Sequence, residues 1–278
     1  MLEMKKPRET GRAAILNSVP PELWQKNLDF SKKIQALIDD HPLKSHPIKA
    51  LLMQATLNVE ISRYMHLEFA HAFAQIFTDS LIHAMATSSQ LEPKLGPLGK
   101  VSARFLLQLN LLDEMGYGAA PELTGDYWGN PMNSHYIQFV NTLKELGATP
   151  DALRSYKPSA AAAASRQTFT NYFQDHVLLT LVLAAAETLF TEFASPWAES
   201  VKKSTNIDTS KGYHKIHVEE DGHFIDDDHS EDSWYLFRQA ADPARYDECV
   251  RAVEAWLETW NEFGTHLMLE VQKQLEQR

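Results

Sequence analysis

The sequence has one cysteine, Cys249, and only 11 glycines in 278 residues. A single cysteine excludes an intrachain disulfide, which fits a reducing compartment such as the cytoplasm. The low glycine count and the scarcity of short alternating apolar runs argue against a β-rich protein. A chain of this length can bury one large core, so we expect a compact and mostly helical domain.

Basic charge is also scarce. The formal net charge is −11 and the pI is near 5.5, so no basic surface is expected that could neutralise nucleic-acid phosphates. By inspection, no apolar segment reaches the roughly 18–20 residues that a membrane span requires. A Gly-rich phosphate loop and a nucleophile elbow are both missing. The expected protein is cytoplasmic and binds neither nucleic acid nor membrane.

The N-terminal residues 1–17 are polar and include the run KKPRETGR, which predicts a flexible arm. A single helical domain is expected over 18–278. Its first helix is predicted over 21–40, because paired prolines suit a helix start and His-Pro ends the pattern. A second helical stretch is predicted over 47–87, with an interruption.

The middle of the chain alternates between helical and irregular patterns. Proline and glycine predict a loop over 88–99, followed by a helix over 100–116. A long irregular connection then leads to a helix over 135–146, and connections of that length are often functional. The next long helix is predicted to extend to about Phe193, and Pro196 to open another short helix.

The segment 213–226 is ambiguous, because it fits either a β-hairpin or a helix. From Pro243 onward the pattern is helical to the end of the chain.

Glu187 stands in the apolar run VLLTLVLAAAETLF, which is predicted to be a buried helix. A buried carboxylate is costly unless a cation pairs with it or a metal binds it. The same helix supplies no nearby Arg or Lys. We therefore interpret Glu187 as a metal ligand.

Other acids and imidazoles have similar apolar helical settings. Glu68 and His71 form a Glu-x-x-His pair of the kind that diiron bundles use, although their polar stripe could also face solvent. Glu114 and His135 are further candidates. Carboxylates with imidazoles, and no thiolate set, suit iron, manganese or zinc. The hypothesis is that these side chains meet at one metal site.

The order of these residues resembles the heme-oxygenase-like diiron oxidases and oxygenases, also called iron-containing redox enzymes. YMHLEF is similar to that family's Tyr-x-x-x-Glu-Phe helix at Tyr64 and Glu68. NLLDEMGYG matches its Asn-Leu-x-x-Glu-x-Gly-x-Gly run at Glu114, and His135 completes that element after a longer gap than is usual. Glu187 matches the family's Glu in an Ala- and Leu-rich helix.

The family's last element, His-x-x-x-Asp-x-x-His, is altered in this chain. His217 and Asp221 fit it, but Phe224 occupies the closing position, so His223 or His229 must close the site. The resemblance implies a set of metal ligands: Glu68, Glu114, His135, Glu187, His217, Asp221, His223 and His229. Tyr64, Tyr117 and Trp128 are expected to wall the substrate pocket.

The resemblance implies an all-α, heme-oxygenase-like helical bundle with room for one small inserted β-hairpin. It implies two Fe2+ ions and O2 as co-substrate, and a small substrate such as an amino acid or a derivative. The reaction would be N-oxygenation, oxidative cleavage, or desaturation and rearrangement. A homodimer is compatible with it. Iron and manganese are not distinguished by the sequence.

Two alternatives stay open. One is a metal-free, thiaminase-like or PQQ-synthase-like member of the same fold, in which Glu114 and Glu187 act as acid and base. The other is a non-catalytic helical binding protein whose polar stripe contacts a partner.

Overall fold

The computed structural model describes residues 6–53, 57–118, 128–217 and 225–277, with the backbone alone at 225–228. The expected all-α bundle is confirmed. Within those ranges its helices are α1 (Pro7–Ser18), α2 (Pro21–Asp40), α3 (Ile48–Leu52), α4 (Val59–Phe69), α5 (Phe77–Thr87), α6 (Glu92–Glu114), α7 (His135–Glu145), α8 (Pro150–Ser155), α9 (Ala160–Thr170), α10 (His176–Ser204), α11 (Gly212–Ile216), α12 (Ile225–Ala240) and α13 (Tyr246–Glu276).

Helix α10 is the central element, and it packs against α3, α5, α12 and α13. Asp175 caps its start by accepting hydrogen bonds from the backbone N–H groups of Val177 and Leu178. The helix continues through Pro196 and ends at Ser204, so the predicted break near Phe193 is wrong. A proline removes only one backbone donor, and tertiary packing on both sides outweighs that loss here.

Among the described residues, α10 is the one helix long and apolar enough to cross a membrane, which inspection of the sequence missed. Its most apolar 18-residue window has a mean hydropathy of 1.7, and 72% of that window is buried inside the protein. This burial is typical of a core helix.

The flexible arm expected over 1–17 is wrong from residue 7 onward, because Pro7–Ser18 form α1. Ile15 is fully buried, and Gly11 lies against α6, where an added Cβ would stand 3.1 Å from both Phe105 and Leu106. The arginines that made the segment look solvent-exposed pair instead with acids of the bundle. Amphipathic docking therefore orders a stretch whose composition is polar.

The predicted loop over 88–99 is also mostly helical. A short 3-10 turn covers Ser88–Leu91, and α6 begins at Glu92. Gly96 has φ +72°, a left-handed conformation that kinks the helix just before Pro97. The helix is therefore interrupted at Gly96, and α6 consists of two helical segments that meet at a kink.

The interruption predicted in 47–87 is confirmed. Helix α3 ends at Leu52, and a π-helical turn over Ala70–Ala74 separates α4 from α5. A π turn inserts a residue into the helical repeat and rotates the faces on its two sides relative to each other. Glu68, before the π turn, and Phe73, within it, therefore point into different parts of the interior.

A two-stranded antiparallel sheet pairs Tyr117–Gly118 (β1) with Trp128–Gly129 (β2). It lies in the long connection between α6 and α7. For the segment 213–226, a hairpin or a helix was expected. Its first part is helical at Gly212–Ile216, and residues 218–224 lie outside the described residues.

Candidate metal centre

Four of the predicted ligands line one pocket between α6, α7, α10 and the end of α11. They are Glu114, His135, Glu187 and His217, and all four are at most 8% exposed. Phe73, Phe190 and Tyr213 supply apolar walls. Two acids and two imidazoles from distant parts of the chain therefore meet in an environment with little water.

Gly116 brings His135 back to Glu114 across the long connection. It has φ +84°, and an added Cβ would stand 2.5 Å from the backbone oxygen of Asn130. The backbone N–H of Asn130 donates to the Gly116 oxygen at 3.1 Å, which returns the chain to the end of α6. Ser134 then precedes the first residue of α7, which is His135.

Glu114 and His135 form a buried pair, with His135 Nδ1 2.9 Å from Glu114 Oε1. Burial alone would raise the pKa of Glu114. The hydrogen bond and charge of His135, with smaller contributions from His229 and His217, outweigh it and lower that pKa. Glu114 is therefore held ionised against the cost of its burial.

Glu187 lies in the middle of α10 and accepts a hydrogen bond from Asn110 Nδ2 at 3.1 Å. Asn110 precedes Glu114 by one helical turn, so both project from the same face of α6. The Asn110 amide thus orients one carboxylate while its helix supplies the other.

His217 follows directly after α11 and faces the other imidazole of the pocket. Its ring centroid lies 5.2 Å from that of His135 and 4.8 Å from that of Phe190, in both cases edge to face. Tyr213, one turn earlier, packs against the same ring at 4.6 Å. Aromatic packing on two sides fixes the plane of the His217 ring.

His229 on α12 is the fifth member and is only 1% exposed. Its Nε2 lies 3.1 Å from Oδ2 of Asp113, the residue before Glu114. Burial alone would lower the pKa of His229, but the Asp113 hydrogen bond and the charges of Glu187 and Glu114 raise it to about 9. Because Asp113 is the residue before Glu114, this contact places His229 beside the end of α6 that carries Glu114.

Helix α1 supports this corner from outside. Arg8 Nη2 lies 2.5 Å from Oδ2 of Asp113, and its other terminal nitrogen pairs with Asp232. Arg12 Nε donates to the second oxygen of Asp232 at 2.6 Å. One arginine therefore joins the end of α6 to α12, next to the residues that hold His229.

Glu68 does not join the cluster, so its prediction as a ligand is corrected. Both of its oxygens accept hydrogen bonds from Ser159, whose backbone N–H lies 3.1 Å from Oε1, and the Tyr156 hydroxyl donates to Oε1. Ser159 also caps α9. These donors satisfy the carboxylate and tie α4 to the start of α9, and His266 Nε2 lies 4.0 Å from Oε2.

The three residues expected to wall the substrate pocket lie elsewhere. The Tyr64 hydroxyl is 3.0 Å from His266 Nε2, beside Glu68, and burial together with the Glu68 charge raises the pKa of this tyrosine. Tyr117 and Trp128 are 43% and 51% exposed on the small sheet. Aromatic identity alone did not reveal which side chains the fold buries.

The donor types of the cluster fit iron, since carboxylate oxygens and imidazole nitrogens are ligands that Fe2+ accepts. Among the described residues, no three His, Cys, Asp or Glu side chains are placed close enough together to hold a metal ion. Asp221 and His223, the other two predicted ligands, lie outside those residues. Five of the eight predicted ligands therefore gather at one place, and one does not.

Sequence reasoning missed the supporting residues Asn110, Asp113 and Arg8. Asn110 and Asp113 stand in the same NLLDEMGYG run as Glu114, and helical spacing from Glu114 could have identified Asn110. Nothing local marks Arg8, because its partners are distant in sequence. His214 is buried away from the cluster's carboxylates, with Nε2 3.3 Å from Nε2 of His66.

The fold is an all-α bundle, and its interior holds a cluster of buried carboxylates and imidazoles. No protein-family model matches the chain, and no curated protein matches it in sequence. Solved structures do share its fold. A CADD-like protein of unknown function from Nostoc punctiforme aligns with TM-score 0.62 and 17% identity, over 89% of this chain and 99% of that one.

A TenA homolog from Pseudomonas syringae pv. tomato aligns with TM-score 0.59 and 15% identity, over 88% of this chain and 93% of that one. A second structure of the Nostoc protein gives TM-score 0.55 and 16% identity, over 90% and 97% of the two chains. At these identities the likeness shows the fold alone. It confirms the heme-oxygenase-like architecture.

Proposed function

We propose that the protein is a cytoplasmic, non-heme diiron enzyme that uses O2 to oxidise a small molecule. The observation that carries this proposal is the meeting of Glu114 and Glu187 with His135 and His217 in one buried pocket, beside which His229 contacts Asp113. A structural carboxylate is satisfied by fixed donors, as Glu68 is. Imidazoles beside carboxylates form instead the donor set of diiron helical bundles.

The metal would be held by Glu114, His135, Glu187, His217 and His229. Asp221 and His223 are the two further ligands that the sequence predicts. Bound iron supplies the one-electron chemistry that lets O2 react with an organic substrate, and a reductant must return it to the ferrous state. The chain's own residues orient the ligands: Asn110 holds one oxygen of Glu187, and Asp113 engages Nε2 of His229. Nδ1 is then the His229 nitrogen available to a metal.

The metal-free alternative draws on the Glu114–His135 pair, which is formed at 2.9 Å in the protein alone, and on the likeness to a TenA homolog. In that case Glu114 and Glu187 would act as acid and base on a heterocyclic substrate. Burial between apolar walls would favour such acid–base chemistry, because it disfavours the charged form of a carboxyl group and so raises its pKa toward neutral pH.

Anaerobic titration with Fe2+ tests the proposal. We expect about two irons per chain, as in carboxylate-bridged helical bundles, and an absorbance change when O2 is admitted to the loaded protein. Stoichiometry by metal analysis and the optical change are separate readouts. Failure to retain iron or manganese after reconstitution would favour the metal-free alternative, and turnover of a thiamine-like heterocycle without metal would establish it.

A further inference from the structure

A second cavity, about 100 Å³ in volume, lies between α3, α4, α10 and α13. All of its lining side chains are aliphatic or aromatic, including Phe69, Trp197, Trp256 and Trp260, and Gly264 contributes only backbone. Natural interiors are close-packed and leave few voids larger than a water molecule. An apolar space of this size beside a candidate active site is therefore a binding site to consider.

The cavity adjoins the metal centre. Phe73 and Phe190 line both spaces and stack on each other, with centroids 5.7 Å apart and ring planes 14° apart. On α10, Ala186 lines the cavity and the next residue, Glu187, lines the metal centre. A molecule seated in the cavity thus needs to pass only this pair of rings to reach the carboxylates.

The lining restricts what can bind. A charged or strongly polar group placed there would lose its hydration and gain no partner from the cavity walls. Dry apolar cavities accept apolar molecules instead, and one of about 150 Å³ holds benzene. A space of about 100 Å³ suits a hydrocarbon chain of several carbons better than a fused ring system.

We propose that the substrate carries an unbranched hydrocarbon chain, which this cavity binds, and a polar head that reaches the Glu114 and Glu187 centre. The proposal rests on the proposed function for the chemistry at the head, but the binding of the chain needs no metal. It narrows the expected amino acid substrate to molecules with an apolar body. Free lysine or arginine would not fit.

Three tryptophans line the cavity, so intrinsic fluorescence reports its occupancy. We would titrate the metal-free protein under anaerobic conditions with primary n-alkanols of increasing length, which avoid charge repulsion from the two glutamates. The dissociation constant should fall about fourfold per added methylene, then level off once the cavity is full. Linear alkanoates, alkylamines and 2-amino acids of matched length would identify the preferred head.

A filling substitution tests the location. Ala186→Leu adds bulk at a residue that lines the cavity, and Leu267→Trp does so from α13, away from Glu187. Either should weaken binding of the best alkanol at least tenfold. Ala163→Leu makes the same chemical change on the exposed face of α9 and should leave the affinity unchanged. Circular dichroism and thermal melting would show that each variant is folded.

The outcomes separate the two proposals. Iron loading without any chain-length dependence would overturn the cavity proposal and leave the diiron assignment standing. Chain-length-dependent binding without iron loading would support the cavity and overturn the diiron assignment. Equal affinity in wild type and both filling variants, or tight binding of lysine or arginine, would show that the hydrocarbon chain is not recognised here.

Discussion

Glu68 and Glu187 are both carboxylates on apolar helices, with 1% and 5% exposure, but their surroundings differ. Glu68 accepts hydrogen bonds from two hydroxyl groups and a backbone N–H, and the His266 imidazole is farther away, with Nε2 4.0 Å from Oε2. Glu187 shares its pocket with Glu114 and imidazoles. Hydroxyl and backbone donors to both oxygens make Glu68 structural, whereas the imidazoles in the Glu187 pocket can exchange a proton for a metal, so the partners and not the burial indicate function.

The largest expected effect comes from neutralising each acid in turn. Glu187→Gln keeps an oxygen for the Asn110 amide but removes a charge that a metal needs, so iron per chain should fall by half or more. Glu68→Gln should load as much iron as wild type. Metal analysis after anaerobic reconstitution measures both. Equal iron in wild type and Glu187→Gln would break the comparison, because Glu187 would then be structural as well.

A buried histidine beside carboxylates, such as His229, should make stability depend on pH in the alkaline range, whereas a buried histidine with a lowered pKa, such as His176, should not. The pKa of His229 is raised to about 9, so its contribution is complete below about 6.5 and is lost as the pH rises through 9. The shift corresponds to about 3 kcal/mol of unfolding free energy in the metal-free protein. Denaturant unfolding across this range should show the loss in wild type, and His229→Gln should flatten it.

His176 is the matched control for that measurement. It is equally buried, but burial lowers its pKa to about 4, so it is neutral throughout the same pH range. His176→Gln should therefore keep the alkaline slope of the wild type. If both variants lose the slope, or neither does, the carboxylates do not hold His229 protonated.

Glu68→Gln should destabilise the fold although it spares the metal. An amide NH2 in place of one oxygen leaves a donor facing the Ser159 donors, and an unsatisfied buried polar group costs about 1–3 kcal/mol. The exposed Glu145 is the control, because Glu145→Gln should change the unfolding free energy by less than about 0.5 kcal/mol. Thermal or urea unfolding measures both; a neutral Glu68→Gln would mean that the hydrogen bonds contribute nothing.

The smallest effect is expected from the outer support. Arg8→Met removes a partner from Asp113 and Asp232, and because Arg8 is 20% exposed we expect a loss of about 1 kcal/mol. The exposed pair of Arg154 and Asp151 is the comparison, and Arg154→Met should have almost no effect. Urea midpoints at low and high salt would measure both. If the two variants lose the same unfolding free energy, Arg8 does not stabilise the contact between Asp113 and His229.

The sequence was sufficient where chemistry is local. The apolar run around Glu187 predicts a buried acid, and the structure places Glu187 in a pocket with other acids and imidazoles. The NLLDEMGYG run locates Glu114, and its glycine marks the turn that follows α6. Glu68 looked equivalent to Glu187, because a local pattern shows that an acid is buried but does not show which donors from distant helices will face it.

By itself, the sequence determined that the chain is a helical bundle with acids in its apolar interior, because apolar periodicity and composition act over a few turns. Only the tertiary structure decided which acid is clasped by Ser159 and Tyr156 and which meets histidines. It also ordered α1, through arginines whose partners are more than one hundred residues away in sequence. Such contacts form only when distant helices pack, so no local pattern encodes them.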